Sequence, residues 1–262
     1  MSTLSIPLDK SWNNATLDMA TIDRPFPGLE YECLWLDDFR NIVYTFGGKL
    51  TADGREVGAN SFYMNRSMPQ SLWGLRMDAQ PRAWARTLGP GAGDYPKILQ
   101  TSSGACTSDR KRGYHIGGAI SSWSTPAAGK DPSLRNIPGF ITFDFDTLEF
   151  HNSSNDGEYF ASDYTQENQT YRLPGSGFQI PFGPEGLEIF IGGQMGHGGS
   201  ENARGAGWEY MTVFNPATEK FFQQQTTGDI PTFTARWHPY DWSTNQHCTF
   251  VAIDEKLKSV EL

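Results

Sequence analysis

Charge is scarce in this 262-residue chain: Asp, Glu, Lys and Arg make up 19% of it, against 13% aromatic residues. Such a chain can bury a sizeable core and lacks the charge density of a disordered segment. The charge present leans acidic, with a net −9. A field of that sign repels phosphate backbones and anionic lipid, so nucleic acid is not an expected partner. No apolar run reaches the roughly 18 residues that a membrane helix needs, and no membrane span is expected. The opening Met1-Ser2-Thr3-Leu4-Ser5-Ile6-Pro7 has no basic segment leading into an apolar stretch, so no secretory signal is read there. Cysteine is rare too: Cys33, Cys106 and Cys248 form no CxxC pair and are odd in number. Neither a disulfide framework nor a cysteine zinc site is expected from that arithmetic. Cys33 alternates with Tyr31 and Trp35 and reads as a small buried apolar residue. There is no G-x-S-x-G elbow and no Ser-His-Asp order. The loop Gly196–Gly199 lacks the Lys and the helix of a phosphate loop. Catalytic residues, cofactor and metal are all expected to be none.

Glycine and proline, by contrast, are plentiful, at 28 and 16 residues. They punctuate many short apolar runs, as in an all-β chain. One unit recurs: an apolar strand closed by a glycine pair, at Gly47-Gly48, Gly117-Gly118 and Gly192-Gly193, spaced by 70 and 75 residues. A repeat of this kind reads as the blade of a β-propeller, where four antiparallel strands bury their faces by stacking on neighbours. The first blade spans 29–90, with strands at 31–36, 42–48, 72–75 and 83–88. The second spans 98–155, with strands at 105–109, 114–118, 140–145 and 148–150. The third spans 175–228, with strands at 178–182, 187–193, 209–214 and 220–224. Residues 4–28 fit a half blade, with strands at 4–8 and 17–22, and 229–262 fit a poorly patterned end or second half blade. Joining the two ends in one blade would give a four-bladed ring with no exposed edge. The glycine pairs are expected where strands crowd. Trp84, Phe150 and Phe221 are expected to fill the gaps between blades.

Long polar insertions follow each glycine pair, at 51–70, 121–138 and 195–207, and their equivalent placement would gather them on one rim. Phe62, Tyr63, Trp123 and His197 are the contact candidates there. Arg110-Lys111-Arg112 is the tightest basic cluster and reads as a solvated turn between strands. Asp144 and Asp146 share one side of a strand end, and Asp146 is expected to open the turn before Thr147. Asn14, Asn65, Asn152 and Asn168 each begin an N-x-Ser/Thr sequon, and together they favour the secretory pathway against the missing signal.

At Ile42-Val43-Tyr44-Thr45-Phe46-Gly47-Gly48 and its two successors the chain resembles kelch-repeat proteins, above all the large fungal kelch group. Pro7-Leu8-Asp9-Lys10-Ser11-Trp12-Asn13-Asn14-Ala15-Thr16 is similar to the first-blade signature of that group, and Leu34-Trp35-Leu36-Asp37 to its hairpin. The resemblance runs from about Leu4 to Gly228. It implies a six- or seven-bladed propeller, a signal peptide, a membrane helix and a cytoplasmic tail in full-length relatives, and so a partial propeller here. The same architecture resembles galactose oxidase, whose copper needs two Tyr, two His and a Cys cross-linked to one Tyr. Tyr114-His115 is not such a site, because strand alternation sends the two side chains to opposite faces. The expected role is a non-catalytic scaffold for an unknown protein or glycan ligand. The alternatives are a secreted carbohydrate-active enzyme of the galactose oxidase type and a truncated product without function.

Overall fold

The computed structural model describes residues 2–5, 20–26, 29–50, 72–88, 98, 100–102, 104–122, 124–125, 135–136, 139–152, 176–191, 194–195, 204–205 and 210–227. Among them the chain is all-β: every sheet is antiparallel, no helix occurs, and no closed barrel or ring is formed. Strands β1 (Ser2–Ser5) and β2 (Ala20–Asp23) pair with each other. The first four-stranded sheet is a meander of β3 (Leu29–Asp37), β4 (Ile42–Leu50), β5 (Leu72–Arg76) and β6 (Trp84–Leu88). The second takes β7 (Ala105–Ser108), β8 (Arg112–Ile116), β11 (Phe140–Asp144) and β12 (Phe150–Asn152) in that order. Between β8 and β11 lies a short ribbon of β9 (Ala119–Ile120) and β10 (Arg135–Asn136). The third repeats the order with β13 (Ser176–Ile180), β14 (Leu187–Ile191), β17 (Tyr210–Asn215) and β18 (Lys220–Gln225). Its own ribbon is β15 (Gln194–Met195) with β16 (Arg204–Gly205).

The sheets stack through aromatic seams. Strand alternation sends Trp35, Tyr44 and Phe46 to one face of the first sheet, where they meet Phe143, Phe145 and Phe150 of the second. Trp35 lies 5.1 Å from Phe46 and 5.6 Å from Phe143 between ring centroids, and its indole N–H donates to the Tyr114 carbonyl at 3.0 Å. Gly113 makes room for it, since a Cβ there would strike the indole ring. The next seam packs Ala105, Tyr114, Ile116 and Phe140 against Phe190, Phe214 and Phe221. On the far face of the first sheet, Ile22 and Phe26 cover Leu75 and Trp84. Leu34 and Leu36, on that same far face of β3, remain exposed.

Residues 109, 117–118, 145 and 181–182, expected in strands, lie beyond the ends of β7, β8, β11 and β13, and three further details differ from the sequence reading. Leu148 belongs to the turn, with φ 58°, so the last strand of the second sheet starts at Phe150. Asp144, not Asp146, makes that turn: its Oδ1 accepts the N–H groups of Asp146 and Thr147, both at 2.9 Å. Cys33 is buried as expected, but it forms a disulfide with Cys106, across a Cα–Cα distance of 6.0 Å. The two cysteines stand 73 residues apart on β3 and β7, and they meet only because the sheets stack. Spacing along the chain carries no trace of that.

Candidate functional site

The first two glycine pairs sit where backbone crowds backbone. Gly47 and Gly48 hold φ of 72° and 94°, and Gly117 and Gly118 hold 67° and 102°, a region that side chains disfavour. Gly48 N–H donates to the Thr101 carbonyl at 2.8 Å, and a Cβ on Gly47 would collide with that same oxygen. The segment before β7 is thereby held to the end of β4. Trp84 meets Phe26 edge-on at 5.5 Å, Phe150 lies in the first seam and Phe221 in the second. Gly192, Gly193, Phe62, Tyr63, Trp123, His197, the sequon residues Asn14, Asn65 and Asn168, and 229–262 lie outside the described residues.

The opposite end of the sheets carries the hairpin turns, and there the basic cluster finds its role. Each of its three residues reaches a turn of a neighbouring sheet. Arg110 pairs with Asp38 at 3.6 Å, Lys111 with Glu185 at 2.7 Å and Arg112 with Glu219 at 3.5 Å. Arg40 links the first sheet's turn to Asp146 of the second, while Asp37, fully buried, accepts from its backbone N–H and its guanidinium. The Glu185 carboxylate raises the Lys111 pKa, and Lys111 lowers that of Glu185.

This lacing sets the turns side by side and leaves two large apolar side chains outward. Phe39, in the turn of the first sheet, is 81% exposed, and Phe182, in that of the third, is 70% exposed. Arg110 projects from the turn between them. Their exposure was not legible in the sequence: Phe39 read as a turn residue, which looks the same whether it folds inward or not, and Phe182 read as the end of a strand, whereas β13 stops at Ile180.

Three buried titratable groups lie in the two seams, His115, Tyr114 and Glu188. His115, enclosed between the first and second sheets, has its ring edge-on to Phe46 and its Nε2 3.2 Å from the Thr101 hydroxyl. Burial lowers its pKa to about 4, so it is neutral at physiological pH. Tyr114 points to the other seam, as alternation requires, and donates to Asp109 at 2.6 Å. Burial raises its pKa, so it stays protonated. Glu188, fully buried on β14, stands where the second sheet has Gly113 and the first has Val43. Thr107 and Gln179 lie beside its carboxylate, yet neither oxygen completes a hydrogen bond of good geometry. Burial pushes its pKa up to about 7, with Asp109 adding to the shift. Its side chain is sealed from solvent. Among the described residues, no three His, Cys, Asp or Glu are grouped to hold a metal ion.

No protein-family model matches the chain, and no curated protein matches it. A solved structure of YjhT aligns with 78% of this chain at 8% identity and a TM-score of 0.46. The alignment takes in 54% of that structure, so the chain spans about half its length. A likeness of that size assigns neither family nor activity. Among the described residues, no helix is long and apolar enough to cross a membrane.

Proposed function

We propose that the chain is a kelch-type β-propeller, or part of one, and that it serves as a non-catalytic scaffold binding a protein or glycan. One observation carries the reading: three consecutive four-stranded meanders of identical order, stacked through aromatic seams and laced at their turns. Repetition of one unit that cannot bury its faces alone is the physical logic of propellers and solenoids. The β1–β2 pair, of which Ile22 packs on the far face of the first sheet, fits the outer half of a preceding blade. Two rims are available to a ligand. The chain leaves β4, β8 and β14 toward one, and the hairpin turns with Phe39, Arg110 and Phe182 form the other. An exposed aromatic flanked by charge is the composition of an interface anchor.

The test is a binding titration against a glycan panel and against proteins cross-linked to the chain in its own cells. Phe39→Ala and Phe182→Ala are compared with the parent. A specific ligand with no turnover is expected, and an affinity at least about tenfold lower in either variant would assign the hairpin rim, a loss of about 1.4 kcal/mol. Turnover on a panel of sugars and alcohols by copper-loaded protein would replace the scaffold with a carbohydrate-active enzyme. The lack of a cooperative thermal melt would replace it with a product that does not fold.

A further inference from the structure

We infer that Asn152 carries an N-linked oligosaccharide, displayed from the outer edge strand of the second sheet, and that the chain matures in an oxidising, glycosylating compartment. The acceptor sequence is Asn152-Ser153-Ser154, with no proline in the middle position. Asn152 is the last residue of β12 and is exposed. Among the described strands β12 pairs with β11 alone. Phe150, two residues earlier on the same face, is packed in the seam between the first and second sheets. Asn152 lies opposite Ile141, at the end of the same face, and its side chain is exposed to solvent.

A second observation is independent of the sequon. Cys33 and Cys106 are joined across the same seam, and such a bond forms and persists in an oxidising compartment rather than in a reducing cytosol. That is also where oligosaccharide transfer takes place.

The transfer balances without redox change. The carboxamide nitrogen of Asn152 attacks the anomeric carbon of an oligosaccharide held on a lipid diphosphate. A carbon–nitrogen bond forms, and the carbon–oxygen bond to the diphosphate breaks. The lipid diphosphate leaves with the electron pair, and the nitrogen gives up one proton.

The chain isolated from its native cells tests this directly. It is deglycosylated by an amidase in ¹⁸O-water and cleaved without reduction after Glu149 and Glu158, which separates Asn152 from Asn168. Mass spectrometry is expected to find residue 152 as ¹⁸O-labelled aspartate, with the Cys33 and Cys106 peptides still linked. An intact, unlabelled Asn152 carboxamide overturns the proposal. Ser154→Ala keeps Asn152 but removes the acceptor, and its intact mass should fall by one glycan. A mass lowered only by the substitution also overturns the site.

Discussion

Glu188 illustrates how one side chain can set the pH response of a seam. Its carboxyl has an ordinary value of 4.5 and is held at about 7. Below 4.5 it is protonated folded or unfolded and changes nothing. As pH rises from there through 7, the unfolded chain ionises freely while the folded chain must ionise a buried group. Stability then falls by on the order of 3 kcal/mol. His115 works with the opposite sign. Its folded value of about 4 lies below the ordinary 6.5, so stability rises over that interval and is lost as pH falls through 4. The two slopes oppose each other between 4.5 and 6.5. Glu188→Gln removes the falling limb. Urea midpoints for that variant should climb from pH 4 to pH 6.5 and then level off. At pH 8 it should exceed the parent by roughly 1–3 kcal/mol. A variant no more stable than the parent at pH 8 would mean that the carboxylate is relieved by water. The sequence offered no sign of this, since Leu187-Glu188-Ile189 reads as an ordinary alternation in which the Glu belongs on the wet face.

At the scale of elements, β3 and β7 are the strands that tie the first two sheets together. Their disulfide closes a loop of 73 residues, and the Leu36 N–H donates to the Ser108 hydroxyl at 3.0 Å alongside it. Cys33→Ala with Cys106→Ala should cost about 2–5 kcal/mol, because the unfolded chain regains the freedom that the cross-link removes. Reduction of the parent should lower its melting temperature to about that of the double variant. A melt indifferent to reductant would show that the seam's aromatic packing carries the stability without the bond. The hairpin turns behave differently. Arg110–Asp38 is an exposed pair at 3.6 Å, and pairs of that kind contribute little. Arg110→Glu should shift the melting temperature by no more than a degree or two. A drop of ten degrees would instead make the lacing of the turns a principal source of stability. The turns were legible as turns, and the cluster as basic. Its partners were not, because they lie in other sheets.

The three described four-stranded sheets form a stack, and each buries a face against its neighbour. Trp35 of the first sheet fills the space that Gly113 of the second leaves open. At the matching place in the next seam Thr107 stands beside Glu188, so large against small is replaced by small against large. Alternating strands, turn residues and the glycine pair were read from the sequence by itself. Each obeys local rules: a two-residue side-chain period, a φ that only glycine holds at ease, and carboxylates that cap backbone N–H groups in turns. Those rules sufficed for an all-β chain and for Tyr114 and His115 on opposite faces. Tertiary structure alone decided that Cys33 meets Cys106, that Glu188 is dry, that the basic cluster pairs with three acidic turn residues, and that Phe39 and Phe182 stand out in solvent. These outcomes depend on which faces stack and in what register. The residues involved meet across sheets rather than along a strand, and no local period records such a contact.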